Sequence, residues 1–216
     1  MENKSLEVYK LLHKSFGQQH WWPMGGGFRP REWEVCVGAI LTQNTAWTNV
    51  EKALANLRKH KVVTAEKMLQ AKTNDLAIMI KPSGYYNQKA ARLRGFSEYV
   101  LSFGSVQKFL KNAGRHDLLK VKGIGPETAD SILLYACGKP HFVVDAYTKR
   151  IFARVGLVKN NAGYDEIQKF FEKNMKKDEK LYNEFHALIV ELAKRHCKKK
   201  PLCKSCPLEG KCAKRI

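Results

Sequence analysis

The densest chemistry in the sequence lies near its end, where Cys197, Cys203, Cys206 and Cys212 follow the spacing C-x5-C-x2-C-x5-C. Four thiolates within 16 residues can wrap one tetrahedral metal ion or one [4Fe–4S] cluster. Spacing alone does not choose between the two. A pair of disulfides is the remaining arrangement, and it requires an oxidising compartment. The opening Met1-Glu2-Asn3-Lys4 carries no apolar signal stretch, so the disulfide reading ranks last. Cys36 and Cys137 stand singly among apolar residues and read as buried thiols.

A second chemical pattern is the turn Lys122-Gly123-Ile124-Gly125-Pro126-Glu127. Gly123 and Gly125 permit positive φ and leave backbone N–H groups uncovered. Pro126 suits a first helical position. The helix start behind it offers N–H donors and a positive dipole end, a seat for phosphate that reads no base sequence. Ile124 would anchor the turn in the core. The plainer reading is an αα-turn closed by a glycine cap. Shortly downstream comes Val143-Val144-Asp145, an acid directly after an apolar pair. Asp145 is a candidate active-site carboxylate and also a good helix N-cap. The two roles are compatible, because a cap position holds the side chain rigidly.

The 216 residues carry 39 Lys+Arg against 20 Asp+Glu, a formal net charge of +19. A charge of this size points to nucleic acid, although a lysine-rich proteome would give the same total. Placement favours the first: residues 191–216 hold nine Lys/Arg and two acids, Glu191 and Glu209. With 44% hydrophobic and 10% aromatic residues the chain is globular. Its longest apolar run, Val35 to Leu41, is far below the roughly 20 residues of a membrane span. A membrane protein, a secreted protein and a coiled coil are therefore disfavoured, and a cytoplasmic, nucleoid-associated monomer is expected.

The elements that must position these groups read as helices almost throughout. Leu6, Tyr9, Leu12 and Phe16 recur near helical spacing. Helices are expected over 31–43, 46–58, 86–103, 105–112, 115–120, Pro126 to Cys137, Tyr147 to Val155, Asp165 to Phe171 and Glu179 to His196. Short helices follow Thr64 and Thr73 or Asn74. Val143-Val144 is the single strand-like pair. There is no internal repeat and no clean linker.

The hairpin, the Val-Val-Asp after it and the four terminal cysteines, in this order, resemble the helix–hairpin–helix DNA glycosylase superfamily, in particular its endonuclease III branch. The resemblance runs from about residue 30 to Cys212. It implies an all-α fold of two helical domains: residues 23–136 as a six-helix domain with the hairpin, and 1–22 with 137–216 as a second domain carrying the cysteine loop. It further implies double-stranded DNA with damaged bases held in a cleft between the domains, Asp145 as catalytic carboxylate and a [4Fe–4S] cluster rather than zinc. Five residues separate Cys197 from Cys203, one fewer than is usual in the family, a departure that touches loop geometry more than cluster binding.

Within that family, bifunctional members carry an attacking lysine two positions after the second hairpin glycine. Glu127 stands there, and Lys122, Lys139 and Lys149 are elsewhere. A monofunctional enzyme is therefore expected, with Asp145 stabilising the cationic sugar and orienting or activating water. Glu127 is either a contact to the base or an acid complementing the helix dipole. Trp21-Trp22-Pro23, Leu41-Thr42-Gln43-Asn44-Thr45 and Trp47 resemble the base pocket of the small 3-methyladenine glycosylases of this superfamily. There, aromatic rings sandwich the alkylated base; one of Trp21 and Trp22 is expected in the core instead, and Trp33 is assigned to the core. Gln43 and Tyr85 match positions that wedge into the gap left by a flipped nucleotide. Lys122, Gly123 and Gly125 would contact the DNA backbone, as would Lys198, Lys199, Lys200 and Lys204 on the cysteine loop. The rival readings are a glycosylase for oxidised pyrimidines or for uracil or thymine mismatches, and a non-catalytic DNA-binding module with a four-cysteine zinc site.

Overall fold

The computed structural model describes residues 4–214, so Met1-Glu2-Asn3, read above as free of signal character, lie outside them. Among the described residues every regular element is helical. In chain order they are α1 (Lys4–Phe16), α2 (Arg31–Leu41), α3 (Trp47–Lys59), α4 (Ala65–Gln70), α5 (Thr73–Met79), α6 (Tyr86–Leu101), α7 (Val106–Asn112), α8 (Arg115–Leu118), α9 (Pro126–Ser131), α10 (Ala146–Val155), α11 (Tyr164–Asn174) and α12 (Glu179–Arg195). A π-helical turn, Ile132–Ala136, continues α9, and single 3-10 turns span Lys81–Ser83 and Cys203–Ser205. The chain divides into two compact units, Trp22–Lys139 and residues 4–21 with 140–214.

The first unit is built around α2, which buries every residue from Trp33 to Leu41. A helix apolar on all faces must be surrounded, and α3, α6, α9 and the π turn pack against it. Trp33 is fully buried and stacks on Phe96, centroids 5.7 Å apart. On α6, Lys89, Ala90, Leu93, Phe96, Ser97 and Val100 form the buried stripe. The hairpin helices α8 and α9 are joined by a two-pronged ion pair: Arg115 Nε and Nη2 donate to the buried Asp130 at 2.8 and 3.1 Å.

Two expectations change here. The helix expected from Pro126 to Cys137 becomes π-helical at Ile132, because the Cys137 N–H bonds the Ile132 carbonyl, five residues back, at 3.1 Å. Such wider turns are common at functional sites. Of the two hairpin glycines, only Gly123 uses the left-handed region, at φ +86°, whereas Gly125 is extended at φ −91°.

The second unit packs α1, α10 and α11 with the long α12. Asp178 caps α12 by accepting from Leu181 N at 2.9 Å. Phe142, Phe152, Phe171, Tyr182 and Phe185 are fully buried in one aromatic core, with Phe142 stacked on Phe171 at 4.1 Å. Each such ring contributes about 1.5–3 kcal/mol on burial. Val143 and Val144 form no strand. The segment is instead held by α11, whose Tyr164, Gln168 and Glu172 lie one turn apart on one face. Glu172 Oε1 accepts from Phe142 N at 3.1 Å, Gln168 Nε2 donates to Phe142 O at 2.9 Å, and Tyr164 Oη accepts from Val144 N at 3.4 Å. Side-chain bonds take the place of a sheet ladder and deliver the next residue, Asp145, to a fixed point.

Candidate functional site

Asp145 is the N-cap of α10. Its Oδ1 accepts from Thr148 N at 2.7 Å and from Thr148 Oγ1 at 2.9 Å. Its Oδ2 faces His186 Nε2 of α12 at 3.6 Å, and the two side chains are 16% and 8% exposed. Burial pushes the carboxyl pKa up, but the neighbouring His186, followed by the two Thr148 donors, outweighs it and holds it below the usual value. The result is a rigid, ionised carboxylate. His186 escaped the sequence reading because it sits inside the apolar run of α12, where a lone histidine gives no signal of its own.

The aromatic residues are brought together in part. Within the first unit Trp22 meets Trp47 edge to face, centroids 5.1 Å apart, and meets Tyr135 of the π turn at 5.0 Å. Gly38 forms the floor: a Cβ there would lie 3.3 Å from Trp22 and 3.6 Å from Trp47. The Trp47 indole N–H is buried without a hydrogen-bond partner. The perpendicular rings touch, whereas a base stacked between two parallel rings needs centroids ~7 Å apart, twice the ~3.5 Å van der Waals spacing. One ring must therefore turn to admit a base between them. Trp21 belongs to the second unit, with Lys194 Nζ 5.8 Å from its ring centre. Pro23 is exposed. Gly38 and Tyr135 were not anticipated; nothing local in the sequence marks them.

The hairpin and the two wedge positions are linked. Gln43 follows α2, and its Nε2 donates to Gly123 O at 3.0 Å and to Thr128 Oγ1 at 2.9 Å. Arg92 Nη1 donates to Gln43 Oε1 at 2.5 Å. Tyr85 is 62% exposed and held left-handed at φ +45° at the start of α6. The fully buried Lys89 ties the two turns together, donating to Leu41 O at 2.8 Å and Ser83 O at 2.7 Å. Its pKa is pushed down to about 8 by burial and the nearby Arg92 charge. Lys122, Gly123, Gly125 and Glu127 are all exposed. Ile124 is buried beneath the turn.

The four terminal cysteines line one cavity with Ile151, Val155, Leu192 and Leu208 among its walls. The Cys206 thiol is pushed up by burial, and the three other cysteines raise it further against a lowering backbone N–H at Leu208, as expected of sulfurs that converge. Donors suited to thiolates are in place: Arg154 Nη1 lies 3.4 Å from Cys197 Sγ, and Lys214 N 3.4 Å from Cys212 Sγ. Arg150 and Arg154 of α10 hold the loop by its carbonyls at Cys197, Lys198 and Lys199. Among the described residues no three His, Cys, Asp or Glu side chains stand in the geometry of a single metal ion. The four free cysteines are sulfur donors gathered on one cavity, a donor set that fits an iron–sulfur cluster. Lys198, Lys199, Lys200 and Lys204 are exposed on this loop.

An all-helical chain with a glycine hairpin, a capping aspartate beyond it and a terminal cysteine loop has the architecture of the helix–hairpin–helix repair proteins. The chain belongs to the HhH-GPD superfamily of base excision DNA repair proteins, whose model matches residues 37–177, and is a DNA glycosylase by family. It is 45% identical over 212 residues to a putative DNA repair glycosylase of Methanocaldococcus jannaschii, covering 95% of this chain and 94% of that one. It is 33% identical to the endonuclease III of Thermotoga maritima, over 82% of this chain and 81% of the relative. The crystal structure of the Helicobacter pylori 3-methyladenine DNA glycosylase bound to 1,N6-ethenoadenine superposes with a TM-score of 0.78 at 34% identity, covering 88% of this chain and 97% of the other. No described helix is long and apolar enough to cross a membrane.

Proposed function

We propose that the protein is a monofunctional glycosylase that releases alkylated purines, 3-methyladenine foremost, from double-stranded DNA, and that it acts as a monomer. The observation that carries this reading is the Trp22–Trp47–Tyr135 cluster over Gly38. A purine methylated at N3 or N7 is cationic while it is joined to the sugar, and an electron-rich ring face attracts such a cation by about 1–2 kcal/mol when water is excluded. The 34% identity to a glycosylase whose name specifies 3-methyladenine supports the same substrate. Glu127 stands where a bifunctional enzyme of this superfamily carries its lysine, so no amine is placed there to attack the sugar.

The chemistry asked of the protein is modest. The bond from the sugar C1′ to the purine nitrogen breaks, and its electron pair leaves on the cationic base, which departs neutral. Asp145, ionised and fixed by Thr148, stabilises the positive charge left on the sugar and orients the water that adds to C1′, whose proton passes to solvent. Cys197, Cys203, Cys206 and Cys212 would hold a [4Fe–4S] cluster. When bound, the cluster cross-links the loop that presents Lys198, Lys199, Lys200 and Lys204 to phosphates. A second reading, excision of oxidised pyrimidines, draws on the 33% identity to an endonuclease III.

The test is base release from methylated duplex DNA by cluster-loaded protein, with the strand examined before and after hot alkali. The reading expects free 3-methyladenine, strand breaks only after alkali, and no release by Asp145→Asn although that variant binds DNA nearly as well. Breaks without alkali would remove the monofunctional assignment. Release of oxidised pyrimidines and no methylpurine would replace the substrate.

A further inference from the structure

Arg92 has no place in the chemistry above, yet it is bound where the turn after α2 meets the Gly123 hairpin. Its stem lies flat on the hairpin: a Cβ on Gly123 would sit 2.7 Å from Arg92 Cγ, Cδ and Nε. Glycine is thus required at 123 both for φ +86° and for this approach. From there Nη1 reaches Gln43 Oε1 at 2.5 Å, and Nη2 reaches Gln88 Oε1 at 3.4 Å. One turn earlier on the same helix, Lys89 pins the Leu41 and Ser83 carbonyls.

Hydrogen-bonding capacity makes the Arg92 contact directional. A glutamine amide has two donors and an acceptor oxygen, and its ends have nearly the same shape. Guanidinium is a donor only, so it selects the oxygen end. Gly123 O, an acceptor only, selects the nitrogen end. Between them Gln43 has one favourable orientation, and Thr128 Oγ1 adds a third partner on the nitrogen side.

We propose that Arg92 is a positioning residue that fixes the Gln43 amide against the Gly123–Gly125 hairpin, so that phosphate capture by the hairpin and insertion of Gln43 beside a flipped nucleotide occur as one event. The proposal rests on the reading of Gln43 as the inserting side chain. Arg92 acts through Gln43 and makes its contribution only where there is a gap to fill.

The test is a double-mutant cycle on cluster-loaded, full-length protein, using duplexes with and without one tetrahydrofuran abasic analogue. Arg92→Ala is expected to reduce the preference for the abasic duplex about tenfold and leave undamaged-duplex affinity nearly unchanged. In a Gln43→Ala background the same substitution should have no further effect. Arg92→Lys keeps the charge but not the fork and should recover only part of the preference. Equal losses on both duplexes, with full rescue by lysine and a salt slope smaller by about one, would make Arg92 a phosphate contact and overturn the proposal. A full Arg92→Ala effect persisting without Gln43 would overturn it too. If Gln43→Ala alone leaves the preference intact, the insertion reading fails and the proposal with it. Thermal unfolding of each variant separates these outcomes from loss of fold, and Arg92→Lys retains the stem packed on Gly123.

Discussion

At the scale of single residues, the site depends on keeping one partly buried carboxylate ionised. Burial alone would raise the Asp145 pKa; His186 first, then Thr148, reverse the sign. A carboxyl depressed below its ordinary 3.8 contributes stability that is present above that value and disappears as pH falls through the folded pKa. His186→Gln removes the imidazole that faces Oδ2 and lowers the carboxyl pKa, so the folded pKa should rise while burial remains. The acid limb of single-turnover base release should then move to higher pH, and some neutral-pH stability should be lost. An unmoved acid limb in a folded variant would show that Thr148 suffices. Asp145 itself was legible from its place after Val143-Val144, because a cap and its helix are neighbours in sequence. Its histidine partner was not, because α12 reaches it only through tertiary packing.

At the scale of elements, α6 organises the first unit's surface turns. Lys89 donates to two carbonyls that would otherwise be buried without partners. Lys89→Met should cost about 1–3 kcal/mol in urea unfolding through those orphaned acceptors. The cost should depend on pH. With a folded pKa of about 8 against an ordinary 10.5, the native state binds fewer protons than the unfolded chain between those values, so wild-type stability gains as pH rises through that window. Methionine has no such gain, so the deficit should widen from pH 8 to 10.5; a constant deficit would mean that Lys89 is not titrating. The cysteine loop is the other element with a simple test. Its segment from Cys197 to Cys212 holds one buried hydrophobic side chain, Leu208, so apolar burial alone anchors it weakly. Cys203→Ala should bleach the visible absorption of the purified protein and expose residues 197–214 to protease, with the remaining helices intact. Unchanged colour would remove Cys203 from the ligand set.

At the scale of the whole molecule, the +19 charge sets how binding responds to salt. The affinity for undamaged duplex should fall with a log–log slope of about −0.9 per phosphate contacted. Lys198→Ala and Lys200→Ala together should flatten that slope by about two contacts without altering the products of base release. An unchanged slope would place the DNA backbone elsewhere. By itself the sequence determined what depends on near neighbours: the helical periodicities, the Gly123–Gly125 hairpin, the Asp145 cap and the four-cysteine loop. Each is fixed by residues one or two turns apart, and spacing records such relations. Only the tertiary structure decided which distant side chains complete each group. Arg92 meets Gln43 across 49 residues and Lys89 meets Leu41 across 48. Trp22 finds Tyr135 over Gly38, and α11, not a sheet, holds Val143-Val144. These pairings come from packing helices around α2 and around the phenylalanine core. Chain spacing carries no record of them, because loop closure brings distant segments together at a cost that grows only slowly with their separation.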